Sequence, residues 1–86
     1  MTDSTNLSLK IFGRNGLLFQ GPVSSVTSTN EGGIFDVLPR HANFISLIQS
    51  KIVYRDAITK QEHEVHISNQ AVLKASGNEI VVFLGM

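Results

Sequence analysis

Nowhere in this 86-residue chain do ten or more residues keep a helical apolar repeat with a capping signal, whereas two-residue alternation recurs along its length. Leu7, Leu9 and Ile11 alternate with Ser8 and Lys10, which puts three apolar side chains on one face of a strand. Arg14-Asn15-Gly16 follows as a hairpin turn, because Asn and Gly tolerate positive φ, and Leu17 to Gln20 form its return arm. Gly21-Pro22 is expected to interrupt the ladder, since proline has no amide donor, before a strand from Val23 to Ser28. Asn30 to Gly33 reads as a turn, Ile34 to Leu38 as a strand ending at Pro39, and Phe44 to Ile48 as a strand by its length and β-branched residues. Further arms are expected at Ile52 to Tyr54, Gln61 to Ser68, Gln70 to Ala75 and Glu79 to Leu84, the last two joined through Ser76-Gly77-Asn78. The predicted fold is all-β: a flattened antiparallel sandwich or barrel of about eight to ten short strands.

This chain length suits one domain, here residues 7–86 behind a polar tail, Met1 to Asn6, that has no secretory pattern. Seven Lys and Arg balance seven Asp and Glu, so no net field draws nucleic acid or an anionic membrane. The most apolar run, Glu79 to Gly85, holds five apolar residues, against roughly 20 for a membrane-spanning helix, so direct membrane insertion is not expected. Without cysteine there is neither a disulfide framework nor a thiolate metal site.

His41, His63 and His66 are the residues to test for proton chemistry. Alternation over Gln61 to Ser68 sets Glu62, Glu64 and His66 on one face and His63, Val65 and Ile67 on the other. Glu64 and His66 could share a ligand, but zinc needs three or four donors, so a solvated strand face is the expected role. No Ser or Asp sits in a nucleophile frame, and Gly32-Gly33 lacks the helix and lysine of a phosphate loop. Neither enzymatic activity nor a cofactor is expected. Asp36, inside an apolar strand, must face solvent, cap a turn or pair with a base such as Arg40.

The run Glu31-Gly32-Gly33-Ile34-Phe35-Asp36-Val37-Leu38-Pro39-Arg40-His41-Ala42 resembles the signature loop of the F-type ATP synthase epsilon subunit, in its N-terminal β-sandwich domain. Leu18-Phe19-Gln20-Gly21, Val53-Tyr54-Arg55-Asp56 and the stretch from His66 to Phe83 resemble further elements of that family in the same order, so the likeness covers nearly the whole chain. Arg40 and Asn43 stand where the family usually has Gly and Pro, a form similar to the divergent epsilon subunits of alternate, sodium-type enzymes. Asn69-Gln70 replaces a Gly-Gly pair, so the local bulge is expected to differ: Asn69 tolerates a left-handed conformation, Gln70 only at a cost. The family's C-terminal helical hairpin, its inhibitory switch, is absent, which fits a naturally short protein and a shortened one equally.

The resemblance implies a non-catalytic subunit of the central stalk, peripheral to the cytoplasmic face of the inner membrane, that couples ion translocation to ATP synthesis. Its implied partners are the gamma subunit and the c-subunit ring. The gamma-interface candidates are Pro39, Arg40, His41, Ala42 and Ser46; those facing the c ring are Asn30, Glu31, Gly32 and Gly33. The rival expectation is a free-standing β-sandwich that binds a ligand or protein, which requires a concave face with grouped aromatics.

Overall fold

The computed structural model describes residues 7–37 and 42–85. Six strands follow in order: β1 (Leu7–Gly13), β2 (Gly16–Asn30), β3 (Gly33–Val37), β4 (Ala42–Asp56), β5 (Glu62–Gly77) and β6 (Glu79–Phe83). The expected eight to ten short strands are thus six, because β2, β4 and β5, at 15, 15 and 16 residues, each bend and serve two sheets. One sheet runs from the first half of β2 through β1, β6 and the second half of β5 to the first half of β4. The other runs from β3 through the second half of β2 and the second half of β4 to the first half of β5. Because β1 pairs with both β6 and β2, the strands close into a ring, with β3 added outside on β2. Closure removes most free edges, the usual hazard of a small β protein.

One pairing departs from an antiparallel sandwich: β1 and β6 run parallel, Ser8 opposite Glu79 through Phe12 opposite Phe83. The ladder also passes through Gly21-Pro22 where a break is expected. Ser8, opposite Pro22, turns its amide to the other side and donates to the Asn78 carbonyl at 2.8 Å, so β1 asks no donor of the proline. On its far side the Pro22 carbonyl accepts from the Ala57 amide at 3.0 Å, just where the β2–β4 ladder begins. Over the bare backbone of Gly21 lies the Phe19 ring, which packs tilted against Tyr54 with centroids 4.6 Å apart. At the first hairpin the positive φ falls on Gly16, at 127°, one residue past the centre of the turn.

The bends in β2, β4 and β5 coincide. Between the pairs Ile48–Ala71 and Ser50–Ile67, one residue of β4 faces three of β5, and Ser50 takes φ 74°. Asn69 and Gln70 lie in that irregularity with no positive φ, so the left-handed residue is on the opposite strand. β2 shifts register against β4 between Thr27 and Thr29, and there the Ser28 hydroxyl, 2% exposed, donates to the Lys51 carbonyl at 2.9 Å. The hydroxyl thus satisfies a carbonyl that the bend takes out of the ladder. Ser28→Ala is expected to lower unfolding stability by about 1–2 kcal/mol, read as a shift of the urea midpoint at unchanged slope.

The core lies between the sheets: Leu7, Leu9, Ile11, Val23, Val26, Ile48, Ile52, Leu73, Ile80 and Val82 are each at most 1% exposed. A cross-strand row of it, Leu73 against Val82 against Ile11, crosses the middle of the five-stranded sheet. The β4–β5 turn is held by Asp56, whose carboxylate accepts from the Ile58 and Thr59 amides at 2.8 and 3.1 Å, while its carbonyl accepts from the Lys60 amide. The Thr59 amide, then that of Ile58, hold the Asp56 carboxyl below the usual carboxylate range, with a smaller aid from His63. A depressed native value stabilises the fold at pH above the ordinary carboxylate range, and the gain is lost as pH falls through the native value. Asp56→Ala is therefore expected to cost stability at neutral pH, with the gap to wild type closing as unfolding is followed into acid.

Candidate docking surface

The two outer faces differ. On the four-stranded sheet the outward side chains, Val53 and Ile34 excepted, are largely polar: Thr27 and Thr29 of β2, Asp36 of β3, Lys51 and Arg55 of β4, Glu62 and Glu64 of β5. Six of them satisfy one another in pairs. Asp36 is exposed, as one of the expectations had it, and accepts from the Thr27 hydroxyl opposite it at 2.6 Å; Arg40, its other expected partner, lies outside the described residues. Lys51 pairs with Glu64 at 3.1 Å and Arg55 with Glu62 at 3.7 Å, all four half-exposed. His63 packs on the Tyr54 ring at 5.3 Å, and burial, then the Asp56 charge, push the Tyr54 hydroxyl above its ordinary range. The Glu62, Glu64 and His66 face is thus a solvated ladder, and among the described residues no three acidic or imidazole groups come together as metal ligands.

The five-stranded sheet presents the opposite character. Leu47 stands against Val72, Val72 against Phe83, Phe83 against Phe12 and Phe12 against Leu17. Paired residues share a face, and the alternate residues Ile48, Leu73, Val82 and Ile11 fill the core, so this row points outward. Leu47 is 56%, Phe83 42% and Leu17 49% exposed, and Phe12 stacks on Phe83 with centroids 5.6 Å apart. Four interstrand steps of about 4.8 Å make the row about 19 Å long. Other apolar side chains are exposed singly, among them Ile34 and Ile58, but a continuous apolar row across five strands marks a candidate place for another surface to sit.

Around the Leu47 end the candidates from the sequence gather. Asn30, Glu31 and Gly32 line a depression of about 440 Å³ together with Ile45, Ser46, Leu47 and Gln70. The Asn30 amide donates to the Ser46 hydroxyl at 3.2 Å, and its carbonyl accepts from the Gly32 amide at 2.8 Å. Gly33 takes φ 116° where β3 begins. The turn and Ser46, assigned to two different partners, are therefore neighbours on one surface. Ala42 opens β4, while Pro39, Arg40 and His41 lie outside the described residues. The apolar row was missed. Its signal was present: Glu79-Ile-Val-Val-Phe83 is apolar in both phases of the alternation, as are Ile45, Leu47 and Ile48, so apolar side chains stand on both faces of the sheet there.

A closed β-sandwich with a polar face, an apolar face and an open depression at their border has the make-up of a protein-docking module. The family model of the β-sandwich domain of the ATP synthase delta/epsilon chain matches residues 6–84, and the chain belongs to that family. It is 29% identical over 80 residues to the ATP synthase epsilon chain of Sulfurimonas denitrificans, covering 93% of this chain and 61% of that one. Against the epsilon chain of Campylobacter concisus the identity is 34% over 76 residues, covering 88% and 58%. The epsilon chain of a Nitratiruptor species is 47% identical over 47 residues, covering 55% and 36%, so this chain spans about a third to three-fifths of these relatives. The fold matches a chain in a Euglena gracilis mitochondrial ATP synthase structure of OSCP, F1 and c-ring, with TM-score 0.83 at 13% identity, covering 98% of this chain and 53% of that one. It also matches one in the central stalk and c-ring structure of the Tetrahymena thermophila enzyme, with TM-score 0.73 at 8% identity, covering 99% and 67%.

Proposed function

We propose that this chain is a non-catalytic central-stalk subunit of an F-type ATP synthase that docks on gamma and on the c ring. In this role it couples ion translocation to ATP synthesis from the cytoplasmic face of the inner membrane, as a peripheral part of the complex. The observation that carries the reading is the exposed row from Leu47 to Leu17 in a chain of the delta/epsilon family. Gamma docks on that row and on the candidate residues Pro39, Arg40, His41, Ala42 and Ser46, of which Ser46 lines the depression at the Leu47 end of the row, while the turn of Asn30, Glu31, Gly32 and Gly33 faces the c ring. Rigidity suits a part that passes torque, and a closed ring of ladders has few places to open locally.

The assignment is tested by cysteine cross-linking in the assembled enzyme, with one cysteine at Glu31 and a series along the polar loop of the c subunit. A rotation-blocking cross-link is the expected result. Failure of every pair to link would move the c-ring contact elsewhere, and failure to co-purify with gamma would remove the reading altogether.

A further inference from the structure

The outer face of the five-stranded sheet carries a second row beside the apolar one: Ile45, Lys74, Val81, Lys10 and Gln20, paired across the same five segments. It is displaced two residues along β4, β5, β6 and β1, and three along β2, where a bulge intervenes, or about 7 Å. Lys10 and Lys74 flank Val81, and neither has an ion-pair partner among the described residues, whose ion pairs, Lys51–Glu64 and Arg55–Glu62, are both on the other sheet. One row further lie Asn43, Ser76, Glu79 and Ser8, so the face grades from apolar through cationic to polar. We infer that the surface seated here presents an apolar ridge about 19 Å long with carboxylates about 7 Å to one side of it, set over Lys10 and Lys74.

The inference rests on the reading of this face as the gamma-docking face, and it names the chemistry that gamma must offer. A second copy of the chain fits badly. Two-fold pairing about the apolar row would lay each lysine row over the ground beyond that row in the partner, around Arg14, Gln70 and Gly85, which holds no carboxylate. An anionic membrane is also a poor match, because two lysines give little surface attraction and the next row brings in Glu79.

The test measures binding of the chain to its cognate gamma subunit over a range of salt concentrations. It compares the wild type, the double variant Lys10→Glu/Lys74→Glu, the conservative Lys10→Arg/Lys74→Arg, and Leu47→Ser/Phe83→Ser. The expected result is about tenfold weaker binding for the glutamate pair at low salt, shrinking as salt rises, and near wild-type binding for the arginine pair. Thermal unfolding of each variant confirms that the sandwich persists. If the serine pair loses binding while the glutamate pair binds as wild type at every salt concentration, the carboxylate flank is refuted and the docking reading survives. If wild type does not bind gamma, both fall. Vesicles of phosphatidylglycerol and sedimentation of the chain alone complete the comparison, and lysine-dependent vesicle binding or a stable dimer would overturn the inference in favour of that occupant.

Discussion

Leu73→Ala is expected to be the most damaging single change in the chain. Leu73 is fully buried on β5, between Val82 of β6 on one side and Ser46 of β4 on the other. Truncation leaves a cavity that paired strands on both sides keep from collapsing, at a cost of about 2–5 kcal/mol. A domain of this size has a total stability of roughly 4–13 kcal/mol. The variant should unfold at a much lower urea concentration, with loss of the near-ultraviolet signal of its packed aromatics at temperatures where wild type is folded. A midpoint shift of under 1 kcal/mol equivalent would mean that the inner row can repack, contrary to the rigidity claimed for it.

The second large effect lies on the outside. Leu47→Ser/Phe83→Ser should leave unfolding nearly unchanged, because both side chains are half-exposed and their removal opens no core volume. Binding to gamma should fall by a hundredfold or more, since the few well-packed residues that anchor an interface cost about 2 kcal/mol or more each when truncated, and this row is expected to supply them. The two variants together separate inner row from outer row: Leu73→Ala acts on stability, the serine pair on association. Equal binding by wild type and the serine pair would take the apolar row out of the interface and leave the segment near Ser46 and the Asn30 turn to carry it.

The alternation of Leu7, Leu9 and Ile11 and the Asn15-Gly16 signal were enough to place the first hairpin, because local chemistry decides such features. The stretches expected as separate strands around Pro22, Ser50 and Asn69 proved to be halves of longer ones. A strand that bends at a register shift and one that stops look alike in sequence, since both interrupt the alternation. The parallel contact of β1 with β6 was illegible, because it joins the two ends of the domain and no local residue signals it. Ser50 at φ 74° was equally silent, as serine gives no warning of a left-handed backbone. Of the candidate site, Asn30 and Ser46 were named, but their hydrogen bond to one another was not, since it arises only when β2 and β4 are laid side by side.

The parallel pair of β1 and β6 has a mechanical consequence. The chain enters at the start of β1, and β6 ends beside the first hairpin, where the Leu84 amide donates to the Phe12 carbonyl at 2.8 Å. A force that draws the first and last strands apart along their length acts in shear, loading the contacts from Ser8–Glu79 to Phe12–Phe83 all at once. Had the two strands been antiparallel neighbours with adjacent free ends, the same pull would have unzipped them one hydrogen bond after another. Under tension between its ends this sandwich should therefore yield at a single high force, in one step, as a clamp does.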